Sequence, residues 1–202
     1  MNFGYQTLGF GAYPNRGVAI AQGLTPSLLT LSGQSQTSTS HAANNNTIDL
    51  SNAGSVDYTG ESARLVFHYT KGEGFTGDIQ IYDIELSSTS YNINTGTNSF
   101  KTTRGNDAVY TSATFFDVGN STSGGRWNRD SGGTGSNNTG LTLSGEYYFY
   151  AETSNPANSI NGFNFWLQSP VVSLSSASPN LTFKDGRYGA GIGTLNVHLD
   201  IQ

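Results

Sequence analysis

Side chains able to do acid–base or ligand chemistry are sparse in this 202-residue chain, which holds 14 Asp and Glu, 9 Lys and Arg, 3 His and no Cys. The absence of cysteine removes disulfides, thiolate metal sites and thiol nucleophiles together. Asp83 and Glu85 stand two apart, so both carboxylates fall on one face of a strand, and Glu146 and Glu152 also share a parity. His41 sits in a polar stretch, whereas His68 and His198 take the parity opposite to Phe67 and Val197, which predicts exposed strand histidines. Serine is so abundant that no Ser-His-Asp grouping can be defended. Gly72-x-Gly74-x-x-Gly77 spells a dinucleotide-binding pattern, but that turn must open a helix whose N-terminus receives the pyrophosphate. An alternating strand pattern follows it here, so no cofactor is expected. Trp127, with Arg126 and Arg129, and the run Tyr147-Tyr148-Phe149-Tyr150 are the groups suited to stack on sugars or anchor a protein partner. Trp127, Arg129 and Tyr148 are therefore the candidate ligand or partner contacts, although Tyr147 and Phe149 share one face and Tyr148 and Tyr150 the other, so one pair must be core.

The elements that position these groups follow from composition and period. Gly, Ser, Thr and Asn number 26, 25, 23 and 20, and charged residues make up only 11% of the chain. Small polar residues mixed with Tyr, Phe, Val and Ile suit short strands and tight turns, and no segment shows a helical period. Alternation marks strands at 63–69, 78–86, 146–152, 163–168, 181–184 and 194–201, and the glycine-rich stretches 119–125 and 132–140 are loops. In 78–86 a strict period of two puts Ile79, Ile81 and Asp83 on one face and Gln80, Tyr82 and Ile84 on the other. Ten or more short strands predict an all-β fold, a two-sheet antiparallel jelly-roll sandwich. An internal echo is visible: Leu65-x-Phe67, a glycine turn and Ile79-x-Ile81 are matched by Leu181-x-Phe183, Gly189-x-Gly191-x-Gly193 and Leu195-x-Val197-x-Leu199.

Two blocks resemble the MAM domain, a jelly-roll adhesion module related in fold to concanavalin-like sandwiches. Residues 126–199 are similar to its amino-terminal part through Trp127-Asn128-Arg129, Gly133-Thr134-x-Ser136-x-x-Thr139-Gly140, Gly145-x-Tyr147-Tyr148-x-Tyr150-x-Glu152, Leu167-x-Ser169-Pro170 and Gly193-Thr194-Leu195-x-Val197. Residues 63–86 resemble its carboxy-terminal end through Ala63-Arg64-Leu65-Val66-Phe67, Gly72-x-Gly74-Phe75-Thr76-Gly77-Asp78-Ile79 and Tyr82-Asp83-Ile84. The reversed order looks like a circular permutation, with 88–114 joining what would be the family's own termini. The family's cysteines are missing, and Leu141-Thr142-Leu143 replaces its polar or acidic step. The resemblance implies a binding or adhesive role, core packing for Trp127 and Tyr147, and a structural Ca²⁺ at Asp83 and Asp117 as its one candidate cofactor. Concanavalin-like hydrolases place Glu-x-Asp-x-x-Glu on one strand, which residues 83–88 do not supply, so no acid and nucleophile pair can be assigned and no enzymatic activity is expected.

Residues 1–44 read as an extended N-terminal arm and polar linker ahead of a sandwich over 45–202. Phe3, Tyr5, Phe10 and Tyr13 are spaced among glycines as assembly contacts, the alternative being a terminal strand or two of the same domain. The net charge of −5 with 3 Lys argues against a nucleic-acid partner. No basic leader with an apolar stretch opens the chain and no apolar run reaches membrane-spanning length, so membrane insertion and Sec export are not expected, and the sequons at Asn45, Asn120, Asn137 and Asn180 read as chance. The resulting expectation is a non-enzymatic virion structural protein, a capsid-decorating or tail-associated (tail-fibre) adhesion component of a bacteriophage, assembled in the host cytoplasm. Its partners would be other virion proteins, sister subunits and a host-surface glycan. The alternative is a carbohydrate-binding, lectin-like adhesin module.

Overall fold

A computed structural model describes residues 20–38, 43–74, 76–87, 89–90, 99–103, 109–118, 125–133, 142–151, 153 and 162–202. The strands are β1 (Gly23–Leu24), β2 (Leu29–Ser32), β3 (Asn44–Asp49), β4 (Ser62–Thr70), β5 (Asp78–Leu86), β6 (Thr89–Ser90), β7 (Lys101–Thr102), β8 (Phe116–Asp117), β9 (Trp127–Gly133), β10 (Thr142–Ala151), β11 (Asn164–Gln168), β12 (Val172–Ser173), β13 (Asn180–Tyr188) and β14 (Thr194–Ile201). One 3₁₀ turn, Tyr110–Ser112, and no α-helix occurs among the described residues. The strands form the expected antiparallel sandwich. One sheet has eight strands in the order β1-β14-β4-β11-β7-β8, with β2 also on β14 and β12 also on β4, and the other has six, β3-β13-β5-β10-β9, with β6 also on β5.

Alternation dictates the core. Leu65, Phe67 and Tyr69 point inward from β4, and Ile79, Ile81, Trp127, Phe149 and Phe183 meet them from the six-stranded sheet, all with at most 1% exposure. Phe67 lies edge-on to Phe183 at 5.1 Å between ring centroids, and Tyr69 edge-on to Trp127 at 6.4 Å. Each such side chain contributes roughly 1.5–3 kcal/mol by leaving water. This packing carries the fold without a single disulfide.

Strict alternation fails inside β5. Tyr82 is opposite Lys184 and Glu85 opposite Thr182, so Asp83 and Ile84 together face Phe183 in a bulge, with Asp83 at φ +48°. The extra residue turns Asp83 outward and returns Ile84 to the core side, the reverse of the expected faces. In β10 the choice between two tyrosine pairs also dissolves: Tyr148, Phe149 and Tyr150 are all buried, so both faces of that strand are covered.

The internal echo has a spatial meaning. β4 crosses to the other sheet through an arch at 71–77 to become β5, and β13 crosses in the opposite sense through 189–193 to become β14. β4 then pairs with β14 and β5 with β13, so the two arches lie against each other at one end of the sandwich. A Cβ on Gly193 would overlap the carbonyl oxygen of Thr70, and one on Gly77 would come within 2.6 Å of the Gly191 backbone. The glycines let two backbones touch, which is why the dinucleotide pattern appears without a helix.

Within the segment read as arm and linker, β1 and β2 lie on β14 in the eight-stranded sheet. Phe3, Tyr5, Phe10, Tyr13 and His41 lie outside the described residues.

Candidate binding face

Asp83 and Asp117 stand on different sheets, and each carboxylate is held by a lysine. Lys184 Nζ is 2.6 Å from Asp83, and Lys101 pairs with Asp117 across β7 and β8. A hard cation needs several oxygens converging on one point, so these two residues do not fit a shared metal. Among the described residues no group of three or more His, Asp or Glu is placed to hold a metal ion. Asp83 and Glu85 do share the outer face, where with Asn45, Thr47, Thr182 and Lys184 they line a shallow groove of about 350 Å³.

Trp127, Arg129 and Tyr148 are held within the fold. Trp127 is fully buried and its indole N–H donates to Phe165 O at 3.3 Å. Arg129, 4% exposed, lays its guanidinium over the Tyr147 ring at 3.8 Å, an interaction that desolvation strengthens. The buried Tyr148 hydroxyl donates to Gly132 O at 3.2 Å, and burial first, with Asp130 second, pushes its pKa up. The expected core role holds for Trp127 and is shared by Tyr148, whereas Tyr147, also expected in the core, is only partly buried against it.

A buried ion pair closes one edge of the sandwich. Arg187 Nε donates to Asp185 Oδ2 at 2.7 Å, and its Nη1 donates to the carbonyls of Ser32 and Gly33 at 3.0 and 2.8 Å. Asp185 also accepts from Asn46 Nδ2 at 2.8 Å. The pair therefore pins the crossover from β2 to β3. Its signal was present in the sequence, since Asp185 and Arg187 continue the parity of Leu181 and Phe183.

The best-furnished surface is the outer face of the eight-stranded sheet. Register lines up Asn164, Thr70, Thr194 and Ser32 in one row, and Trp166, His68, Asn196 and Thr30 in the next. Asn164 Oδ1 accepts from Thr70 Oγ1 at 2.9 Å and lies 2.7 Å from His68 Nε2. Asn196 Oδ1 accepts from Thr30 Oγ1 at 2.8 Å, and the Ser32 and Thr194 hydroxyls lie 3.2 Å apart. His68 stacks on Trp166 at 3.7 Å with an interplanar angle of 11°. Tyr110 closes over Trp166 edge-on at 5.3 Å, its hydroxyl between Gln168 Oε1 at 3.1 Å and Asp200 Oδ2 at 3.0 Å. Burial, then the Asp200 charge, pushes the Tyr110 pKa up, so this hydroxyl keeps its proton.

The expectation of exposed strand histidines is corrected by this face. His198 is only 9% exposed and His68 half-buried, because the turn at 110–112 and the segment 25–28, both distant in sequence, fold over them. Trp166 was missed altogether. Its signal was a tryptophan on the polar side of Asn164-Phe165-Trp166-Leu167-Gln168, where an amphipathic strand has no need of one.

No helix among the described residues is long and apolar enough to cross a membrane. No protein-family model, curated protein or solved structure matches the chain, so the two-sheet antiparallel sandwich stands without a family.

Proposed function

We propose that this chain is a non-enzymatic structural protein of a bacteriophage particle, displayed on its surface as a capsid-decorating or tail-associated component. The observation that carries this reading is the character of the surface. Val109 and Val171 are the only large hydrophobics exposed among the described residues, on a chain in which nearly half the positions are Gly, Ser, Thr or Asn. A hydroxylic sandwich held by packing rather than disulfides suits assembly in a reducing cytosol followed by release. A permuted MAM-like relationship accompanies the proposal. In its support, the two blocks that carry the resemblance supply β4 and β5 on one side and β9 to β14 on the other, and these are neighbours in both sheets.

Light scattering coupled to size exclusion tests the proposal on the full chain and on a chain beginning at Ile20. Association of the full chain, with a folded monomer after truncation, supports assembly through residues 1–19. Monomers of equal compactness in both samples count against it.

A carbohydrate-binding role is the second reading, and the outer face of the eight-stranded sheet favours it over the buried Trp127 and Arg129. Rows of amide and hydroxyl groups beside the partly exposed rings of Tyr110 and His68, which cover the buried Trp166, offer the polar contacts and aromatic edge that sugar hydroxyls and ring faces use. A glycan array on the full chain decides it: binding lost on Asn196→Ala supports the role, and absence of any bound glycan removes it.

A further inference from the structure

Between β1 and β2 the chain forms a strap, residues 25–28, laid along the edge of β14. Thr25 N–H donates to Leu199 O at 2.8 Å, Leu199 N–H returns to Thr25 Oγ1 at 3.0 Å, and Leu28 N–H donates to Val197 O at 2.8 Å. Between these ties lies His198. Its Nδ1 is 2.9 Å from the carbonyl oxygen of Thr25, and a carbonyl only accepts, so Nδ1 carries the proton and Nε2 the lone pair. Nε2 is buried and has no hydrogen-bond partner. A second proton there creates a buried cation, and the cost of burial outweighs the support that the backbone carbonyls of Thr25 and Pro26 give the charged ring.

Apart from those two carbonyls, the groups around the ring offer the charge no relief. From β4, His68 lies 6.2 Å away between ring centroids, where a second positive charge repels the first. From β11, Trp166 lies 6.4 Å away, and Gln168 is engaged by Tyr110. Asp200, two residues along β14, is held by Arg64 of β4 at 3.6 Å and by the Tyr110 hydroxyl at 3.0 Å. The strap residues Thr25, Pro26 and Ser27 carry no titratable side chain.

We propose that His198 is an acid-sensitive latch, holding the strap on β14 while neutral and releasing it when protonated. Burial holds His198 below the ordinary histidine value, and burial does the same for His68, where the His198 charge adds to the effect. The closed strap therefore favours the neutral ring. Its stabilisation is complete above the ordinary pKa of about 6.5 and is lost as pH falls from there toward the lowered value of the closed state. Release would free the short stretch of the β14 edge at His198 and Leu199, between the pairings with β1 and β2. The inference is independent of the particle and glycan proposals.

Amide hydrogen exchange on the full chain, corrected for intrinsic rates, tests it at about pH 7.5 and about pH 5. The expected result is a fall of about tenfold in protection at Thr25, Leu28 and Leu199, with β5 unchanged, consistent with one coupled proton. His198→Gln, which keeps a donor for Thr25 and cannot charge, should remove the pH dependence. Equal protection at both pH values, an equal fall in every strand, or the same fall in His198→Gln overturns the proposal. Should the variant fail to fold, the ¹⁵N shifts of the native ring decide: titration at or above the ordinary histidine value overturns it, and titration below supports it.

Discussion

The two arches that cross between the sheets share a pattern and divide the labour. In the second, a Cβ on Gly191 would strike the carbonyls of Glu73 and Thr76, and one on Gly193 the carbonyl of Thr70. The first has such contacts at Gly72 and Gly77, but its middle glycine, Gly74, has nothing within 4 Å and is needed only for its φ of +75°. Their stems differ as well. Lys71, 2% exposed, turns its ammonium back on the carbonyls of Gly72 and Gly74 of its own arch, whereas Arg187 reaches away to Ser32 and Gly33 with Asp185 at its side. The arches press on each other, but Lys71 ties the first to itself, whereas Arg187 ties the stem of the second to the crossover from β2 to β3.

The sharpest way to break this comparison is where the arches meet. Gly193→Ala should cost more than about 4 kcal/mol, because the clash is with backbone in a paired strand and neither side can yield without losing ladder hydrogen bonds. Urea unfolding followed by tryptophan fluorescence measures it. A loss under about 1 kcal/mol would mean the arches do not touch.

Asp185→Ala comes next, at about 3–5 kcal/mol, since it leaves the Arg187 guanidinium buried without its carboxylate. The double variant Asp185→Ala, Arg187→Met should recover much of that loss, because removing both charges removes the uncompensated one. If the single and double variants are equally unstable, the pair acts by shape rather than charge. The corresponding inner position of the first copy is Tyr69, whose hydroxyl accepts from Gly193 N–H at 3.3 Å and donates to Gly77 O at 3.4 Å. Burial pushes its pKa up, so the proton stays available for that bond. Tyr69→Phe leaves two buried backbone groups short of a partner and should cost about 1–2 kcal/mol, with faster amide exchange at Gly193 as its local signature.

How much of this was legible in the sequence depended on whether the cause was local. Alternation located β4, β5, β11 and β14 to within a residue or so, because side-chain parity is a property of each strand alone. The glycine echo was visible, but its reason lay in the pairing of β4 with β14, more than a hundred residues apart. The bulge at Asp83 reversed two faces because an extra residue is defined only against the partner strand. His68 and His198 were misplaced for the same kind of reason: parity says which side of a sheet a residue occupies, not what later folds over it. The buried Asp185 and Arg187 lay on the apolar parity, where two opposite charges two apart on one strand face signal a pair.

The smallest expected effect isolates conformation from contact. At Gly74 an added methyl group meets nothing, so Gly74→Ala tests only the cost of placing an L side chain at φ +75°. That cost is about 1 kcal/mol. Gly74→Asn, which tolerates the left-handed region better, should cost less than alanine. The same pair of substitutions at Gly193 should show no such discrimination, since asparagine brings the same Cβ into the same carbonyl. Asparagine and alanine should therefore separate in the first arch and coincide in the second. Equal losses for both residues at Gly74 would mean that position 74, too, is held by contact, through a rearrangement that closes the space around it.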